Sequence, residues 1–231
     1  LFSITTSIFL IRRLFDRRSL VSLGLKFDLQ MLKDLFVGLG IPALMMGTIY
    51  LLEWGFGWLE FQGFAWDIET PTRVISRTIP LLLAFILVGW NEELLSRGYH
   101  LQTLASGLNL FWGVIISSTI FGLLHLTNPH ASWISSIGII LAGFFLAYAY
   151  VRTQQLWLPI GLHIGWNFFE AVVFGFPVSG IDLYSLIQIR VMGPEIITGG
   201  AFGPEAGLVL LPALLVGTVC VWMYSRSRGI S

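Results

Sequence analysis

The sequence predicts an all-α fold, a polytopic membrane helix bundle of about six to seven transmembrane helices. Of the 231 residues, 55% are hydrophobic and only 11% are charged, whereas soluble domains carry roughly 25% charged residues. Several apolar runs approach the roughly 20 residues that cross a bilayer. Lipid offers the backbone no hydrogen-bond partners, so such runs form helices unless they close into a barrel, and these runs are too long for barrel strands.

Six apolar runs and one fragment make up these helices. The predicted spans are Leu35–Leu52, Val74–Trp90 continuing to about Leu104, Leu108–Leu126, Trp133–Tyr150, Leu156–Gly175 and Gly207–Tyr224, and Leu1–Ile11 is predicted to be the tail of another span. Pro42 and Pro80 fall inside spans and are expected to kink them. No repeat or linker interrupts the chain, so residues 1–231 are interpreted as a single integral membrane domain. The chain has neither an initiator Met nor a signal-peptide start, so we expect it to begin inside a longer protein.

Charge distribution predicts the orientation and excludes one class of partner. The formal net charge is zero, so nothing indicates a nucleic-acid partner. Basic residues cluster in the segment 12–34 and again at Arg226 and Arg228, and the positive-inside rule places both termini in the cytoplasm, most naturally at the cell membrane. The Gly- and Pro-containing segment 176–206 is then an outer loop. Outer loops so defined include the acidic residues Glu53 and Glu205.

The stretch "WNEELLSRGYH" places charged residues where the bilayer makes them costly. Glu92 lies twelve residues before Leu104, roughly 18 Å along a helix, which is near the middle of the membrane. An intramembrane carboxylate is a functional-site candidate because it must face a cavity or the bundle interior. Glu93 and Arg97 share a helix face and are predicted to pair. Glu92 is rotated about 100° from Glu93 and is free to face a cavity.

Two later spans carry polar residues at the same spacing. "FGLLH" separates Phe121 and His125 by four residues, and "HIGWN" does the same for His163 and Asn167. A carboxylate and an imidazole can together deprotonate a water, while a second imidazole and a carboxamide can donate hydrogen bonds to an oxyanion. Counting along a straight helix puts His125 too far toward the outer side to meet Glu92, so a kink or a different helix boundary is required.

The stretches "EELLSR", "FGLLH" and "HIGWN" resemble the EExxxR, FxxxH and HxxxN motifs of the CAAX-protease and bacteriocin-processing family, also called the Abi family. This family includes the type II CAAX prenyl endopeptidases. The order and the spacing match, and the resemblance covers residues 73–174. The Gly-rich "TGGAFGPEAG" also resembles a stretch found before the last helix of bacterial members.

The resemblance implies a glutamate-dependent, metal-independent intramembrane endopeptidase without a cofactor. It assigns water activation to Glu92 and His125, and it assigns the oxyanion to His163 and Asn167. Supporting roles fall to Glu93, Arg97 and Phe121. The implied substrate is a peptide or a membrane protein, and whether it is prenylated is not evident from the residues.

Other readings of the same residues remain open. Glu92, His125 and His163 could bind Zn²⁺ in a metallopeptidase, although no H-E-x-x-H pair occurs on one helix. A non-catalytic scaffold or bacteriocin-immunity protein would keep the fold without the chemistry. Buried acids and histidines also occur in transporters, but no inverted repeat is evident. The Glu93–Arg97 pair could be purely structural, and Glu170 could line the cavity from one turn beyond Asn167.

Overall fold

The protein is a bundle of nine α-helices within the described residues 2–229 of the computed structural model, with side chains described from residue 3. The helices are α1 (Phe2–Leu14), α2 (Leu29–Gly55), α3 (Pro71–Glu93), α4 (Gln102–Gly107), α5 (Leu110–Leu124), α6 (Trp133–Thr153), α7 (Trp157–Asn167), α8 (Glu195–Thr198) and α9 (Leu210–Ser227). The π-helical stretch Leu94–Leu101 joins α3 to α4, and a second one, Phe168–Val173, continues α7.

Membrane-spanning helices dominate the bundle, and the chain is an integral, multi-pass membrane protein. Five helical stretches within residues 2–229 are long and apolar enough to cross a bilayer: Leu29–Gly55, Pro71–Gly107, Leu110–Thr127, Trp133–Thr153 and Leu210–Ser227. They correspond to five of the six predicted spans. The predicted end of the second span near Leu104 is three residues short, because the helix continues to Gly107. Most of the predicted Leu1–Ile11 fragment lies in α1, and Leu1 falls outside the described residues.

The remaining predicted span, Leu156–Gly175, forms the central helix of the bundle. It consists of the 11 residues of α7 and the 6 residues of the following π-helical stretch. Every residue of α7 is buried. Other helices therefore surround α7, and polar side chains on it are kept away from lipid.

Small residues allow α2 and α7 to approach each other closely. A Cβ added at Gly38 in α2 would lie 2.5 Å from the carbonyl oxygen of Leu158, and one added at Gly161 in α7 would lie 2.5 Å from that of Leu35. Membrane helices gain much of their association energy from such close backbone packing. The pairing fixes α7 against α2, and thereby fixes the position of the polar residues that α7 carries.

Two short strands are an addition to the predicted all-α architecture. β1 (Leu59–Phe64) follows α2, and β2 (Ile187–Val191) lies in the segment 176–206. They pair antiparallel, with an irregularity between Phe61 and Gly63. The sheet joins the loop after α2 to the loop before α9, so the two predicted outer loops meet on one side of the bundle.

Both helices that carry central polar residues change geometry directly after those residues. The α-helical winding of α3 ends at Glu93, and that of α7 ends at Asn167. π-Helical turns are uncommon and occur frequently at functional sites because they redirect side chains from the regular helix face. The two π-helical turns therefore indicate a functional site near Glu93 and Asn167.

Candidate active site

A cavity of about 440 Å³ lies inside the bundle, and all four predicted catalytic residues line it: Glu92, His125, His163 and Asn167. The lining is otherwise largely apolar, with side chains such as Phe121 and Leu162. The four side chains come from α3, the end of α5 and α7. The fold thus brings together residues that are separated by as many as 75 positions in the sequence.

Glu92 lies between the two imidazoles. Its Oε2 atom is 3.8 Å from Nε2 of His125 and 3.8 Å from Nε2 of His163. These separations exceed a direct hydrogen bond, but a single water can bridge polar atoms at such a distance. Glu92 Oε2 is buried and has no hydrogen-bond partner among the described residues. The arrangement therefore suits a water held by one carboxylate and two ring nitrogens.

The other ring nitrogen of each histidine determines the form of the imidazole. Nδ1 of His125 is 2.8 Å from the carbonyl oxygen of Phe121, and Nδ1 of His163 is 2.7 Å from Oε1 of Glu93. Both partners only accept hydrogen bonds, so each Nδ1 carries a proton and donates it. In a neutral imidazole the Nε2 atom is then an acceptor. Both Nε2 atoms face Glu92, so the three groups converge on one position inside the cavity.

Glu93 and Arg97 form the predicted pair behind the cavity. Arg97 donates to Oε1 of Glu93 at 2.7 Å and to the carbonyl oxygen of Gly143 at 3.0 Å. The side chains of Arg97 and Glu93 are 1% and 0% exposed. The guanidinium also lies over the ring of Phe121, 4.4 Å from its centre. Glu93 thus links the buried cation to His163, and Phe121 packs between Arg97 and the cavity.

The position of His125 resolves the discrepancy in the depth count along its helix. The predicted span continues to Leu126, but α5 ends at Leu124. His125 caps that helix and begins the short 3-10 turn His125–Thr127. The helix end tightens around the hydrogen bond from His125 to Phe121, so the imidazole reaches the level of Glu92.

Asn167 lies one turn beyond His163 on the same helix, as the i,i+4 spacing predicts. It is 9% exposed and lines the cavity. Glu170, one turn further, is 0% exposed and does not line the cavity. Both Glu170 oxygens are buried without a hydrogen-bond partner among the described residues.

A second carboxylate in the cavity, Glu205, was not predicted from the sequence. Oε2 of Glu205 accepts hydrogen bonds from the backbone N–H and the hydroxyl of Ser179, both at 2.8 Å, and Oε1 accepts one from Trp166 Nε1 at 3.2 Å. Burial raises the pKa of Glu205, while the hydrogen bonds from Ser179 and the charges of His125 and His163 act in the opposite direction.

Glu205 lies in the segment 176–206, which was predicted to be an outer loop, and this segment folds back so that Glu205 lines the cavity. Only the resemblance of "TGGAFGPEAG" to a family stretch could have signalled the residue. Glu53 was misjudged in the same way. It lies in the last turn of α2, is 0% exposed, and both its carboxylate oxygens lack a hydrogen-bond partner among residues 3–229.

The possible metal ligands do not form a cluster. Within the described part of the chain, no group of three or more His, Cys, Asp or Glu side chains is placed so that it could hold a metal ion. The zinc alternative requires Glu92, His125 and His163 to act as such a group. A chelation experiment, given below, decides between the two mechanisms.

The fold and the cavity define a class of protein, the polytopic membrane protein with a carboxylate–imidazole site inside its helix bundle. Comparison with known proteins narrows the class. Residues 75–169 match the family described as type II CAAX prenyl endopeptidase Rce1-like. Over this segment the chain is similar to that family, which agrees with the resemblance drawn from the three motifs.

A curated relative supports the same assignment. The chain is 30% identical over 111 residues to the Bacillus subtilis (strain 168) protein named "Putative membrane peptidase YdiL". The aligned part is 48% of this chain and 41% of YdiL, so the chain spans about two fifths of the length of that relative. No solved structure matches the chain.

Proposed function

We propose that the protein is an intramembrane endopeptidase in which Glu92 activates the attacking water. One observation carries the proposal: Glu92 Oε2 lies 3.8 Å from Nε2 of both His125 and His163 inside an apolar cavity. A water at this point lies within reach of the carboxylate oxygen and of both ring nitrogens. The match to the type II CAAX prenyl endopeptidase family and the peptidase name of the curated relative favour amide hydrolysis as the reaction.

In the proposed first step, Glu92 and His125 act together on the water. The water's O–H bond breaks and the proton passes to the carboxylate–imidazole pair, while the oxygen forms a bond to the carbonyl carbon of the substrate. General-base assistance of this kind contributes about 10²–10⁴ in rate. His125 holds its proton on Nδ1 through the Phe121 carbonyl, which leaves Nε2 free to accept.

His163 and Asn167 stabilise the oxyanion that this attack creates. To donate from Nε2, His163 must be doubly protonated, and Glu93 stabilises that cation through its 2.7 Å hydrogen bond to Nδ1. The Asn167 carboxamide supplies a second donor. One oxyanion donor contributes about 10²–10³ to kcat. When the intermediate collapses, the C–N bond breaks and the leaving amine takes the proton that Glu92 and His125 hold.

The substrate of the proposed reaction is a peptide or a membrane-protein segment that enters the bundle. Both termini lie in the cytoplasm in this proposal, because the basic residues of segment 12–34, together with Arg226 and Arg228, are retained on that side. The cell membrane is the natural location for such a protein.

The decisive experiment compares the termini of membrane proteins in cells that carry the wild-type chain with those in cells that carry Glu92→Gln. New termini that depend on Glu92 reveal the cleavage and the substrate together. Glu60→Gln is the matched control, since Glu60 lies on the exposed face of β1. Identical termini in all three strains would remove the basis for a peptidase and favour the scaffold or immunity alternative.

Purified protein in liposomes then tests the roles of the residues. Glu92→Gln, His125→Ala, His163→Ala and Asn167→Ala should each abolish or severely reduce cleavage of a peptide found in the cellular comparison. Glu92→Gln combined with His125→Ala should be little worse than either single change, because groups that act as a unit lose their effect together. Loss of activity with 1,10-phenanthroline, restored by Zn²⁺, would replace this mechanism with that of a metallopeptidase.

A further inference from the structure

Glu205 reaches the cavity through a loop that is tightly built against the rest of the bundle. A Cβ added at Gly138 in α6 would collide with the carbonyl oxygen of Glu205, and one at Gly203 would collide with that of Pro177. Gly203 also has a φ of +108°, which residues with side chains rarely adopt. The backbone around Glu205 is therefore held in place on both sides, and its carboxylate is a fixed part of the cavity wall.

The cavity wall is acidic. The lining contains two carboxylates, Glu92 and Glu205, against the single positive charge that the proposed mechanism places on His163, and neither Lys nor Arg is among the lining residues. The buried Arg97 already forms a salt bridge with Glu93 and lies outside the lining. In a low-dielectric interior such unbalanced charge favours a cationic ligand and disfavours an anionic one.

Glu205 can still accept a further hydrogen bond. Both donors of Ser179 are directed to Oε2, whereas Oε1 receives only the Trp166 indole N–H. A cation that binds beside Glu205 favours its ionised form, and an ionised carboxylate offers about four acceptor positions on its two oxygens, so Oε1 retains one. The three existing hydrogen bonds hold the carboxylate in a single orientation. A donor from a bound substrate would meet a group that needs no reorganisation.

We propose that Glu205 determines substrate specificity by binding a Lys or Arg side chain of the substrate close to the cleaved bond. The inference rests on the proposed peptidase function and names its substrate class: an apolar peptide segment interrupted by one basic residue. The apolar lining, including Phe85 and Leu146, accommodates the rest of the segment. Glu205 lines the same cavity as His125 and His163, so this contact lies beside the proposed reaction centre.

The experiment uses the full chain in liposomes and a series of alanine–leucine peptides of transmembrane length. Each peptide carries one lysine, one norleucine or one Nε-acetyl-lysine, and this residue is moved through successive positions. The readout is kcat/KM for each peptide, with cleavage sites located by mass spectrometry. Norleucine keeps the apolar stem without the amine, and acetyl-lysine keeps the length without the charge.

We expect one position, near the cleavage site, at which lysine is preferred over norleucine and acetyl-lysine by about 10- to 100-fold, the range for a hydrogen bond to a charged group. In Glu205→Gln the ratio of kcat/KM between the lysine peptide and the norleucine peptide, both measured with that variant, should fall to about 1. A purely structural role of Glu205 would instead lower the rates for all three peptides equally.

Three results would overturn the inference. One is wild-type enzyme that shows no lysine preference at any position, a result that needs no folded variant. Another is a preference that persists in Glu205→Gln, which would assign the cation to Glu92. The third is a complete failure to cleave the lysine peptides. In that case the proposed peptidase function is judged separately, by the Glu92-dependent termini in cells.

Discussion

Replacing Arg97 with Ala tests whether the charges behind the cavity are truly buried partners. The change removes both hydrogen bonds of the guanidinium, to Glu93 at 2.7 Å and to Gly143 at 3.0 Å. It leaves Glu93, whose side chain is 0% exposed, with His163 as its remaining donor. Breaking a buried pair in this way costs about 3–5 kcal/mol in soluble proteins, because one charge is left uncompensated.

The expected effect on thermal stability follows from that free energy. At about 2–4 °C per kcal/mol for a domain of this size, Arg97→Ala should lower the unfolding midpoint in detergent by about 6–20 °C. Arg77→Ala is the matched control on the same helix. Its ion pair with Glu69 has a similar 3.0 Å separation, but Arg77 is 42% exposed, and exposed pairs contribute about 0–1 kcal/mol.

A second variant separates the charge from the packing. The double change Glu93→Gln with Arg97→Ala removes the uncompensated carboxylate as well, so it should be more stable than Arg97→Ala alone. Equal midpoints for Arg97→Ala and Arg77→Ala would refute the reasoning, since they would mean that water reaches Arg97. So would a double variant that is less stable than the single one.

Three further outcomes are expected. Glu93→Gln should lower kcat by up to about 10⁴-fold, which is the loss caused when the carboxylate that orients a catalytic histidine becomes an amide. An unchanged kcat, measured on folded protein, would mean that the contact between Glu93 and His163 is only structural. Gly138→Ala should destabilise the protein by about 1–3 kcal/mol, because the added Cβ overpacks against the loop of Glu205. Gly40→Ala is the control: an added Cβ there meets nothing within 4 Å, so the change should be neutral or stabilise the protein by up to about 1 kcal/mol. Denaturation in detergent compares the two variants, and equal losses of stability would contradict the close packing at Gly138. Reporter fusions at the carboxyl terminus and within residues 57–67 should lie in opposite compartments, and a shared compartment would contradict the proposed topology.

Much of the site was predictable because its residues recur at helical spacing. Four-residue steps put His163 and Asn167 on one face of a helix, and they put Glu93 within reach of Arg97. The 100° rotation between neighbours separates Glu92 from Glu93, so that one lines the cavity and the other is buried behind it. These are properties of a single helix, and a sequence contains them directly.

What the sequence could not supply depends on how helices end and how loops return. His125 reaches Glu92 because α5 stops at Leu124, two residues before the apolar run does. Glu205 sits in the cavity because backbone contacts at Gly138 and Gly203 hold its loop against the bundle. Hydropathy predicts neither the end of α5 nor the return of this loop, because it assigns a polar residue beyond a span to the exposed surface. The pairing of β1 with β2 is likewise non-local.

The charged residues in "WNEELLSRGYH" are accommodated in different ways. Glu93 and Arg97 compensate each other: Glu93 Oε1 accepts hydrogen bonds from Arg97 and His163, while Glu93 Oε2 is buried without a partner among the described residues. Glu92 differs, because its side chain lines the cavity and is 35% exposed, while its Oε2 atom is buried and has no hydrogen-bond partner among the described residues. An uncompensated carboxylate is costly, and it is retained where a ligand completes its hydrogen bonding. A water between Glu92 and two imidazole nitrogens is such a ligand, and it is also the group that a hydrolase must activate.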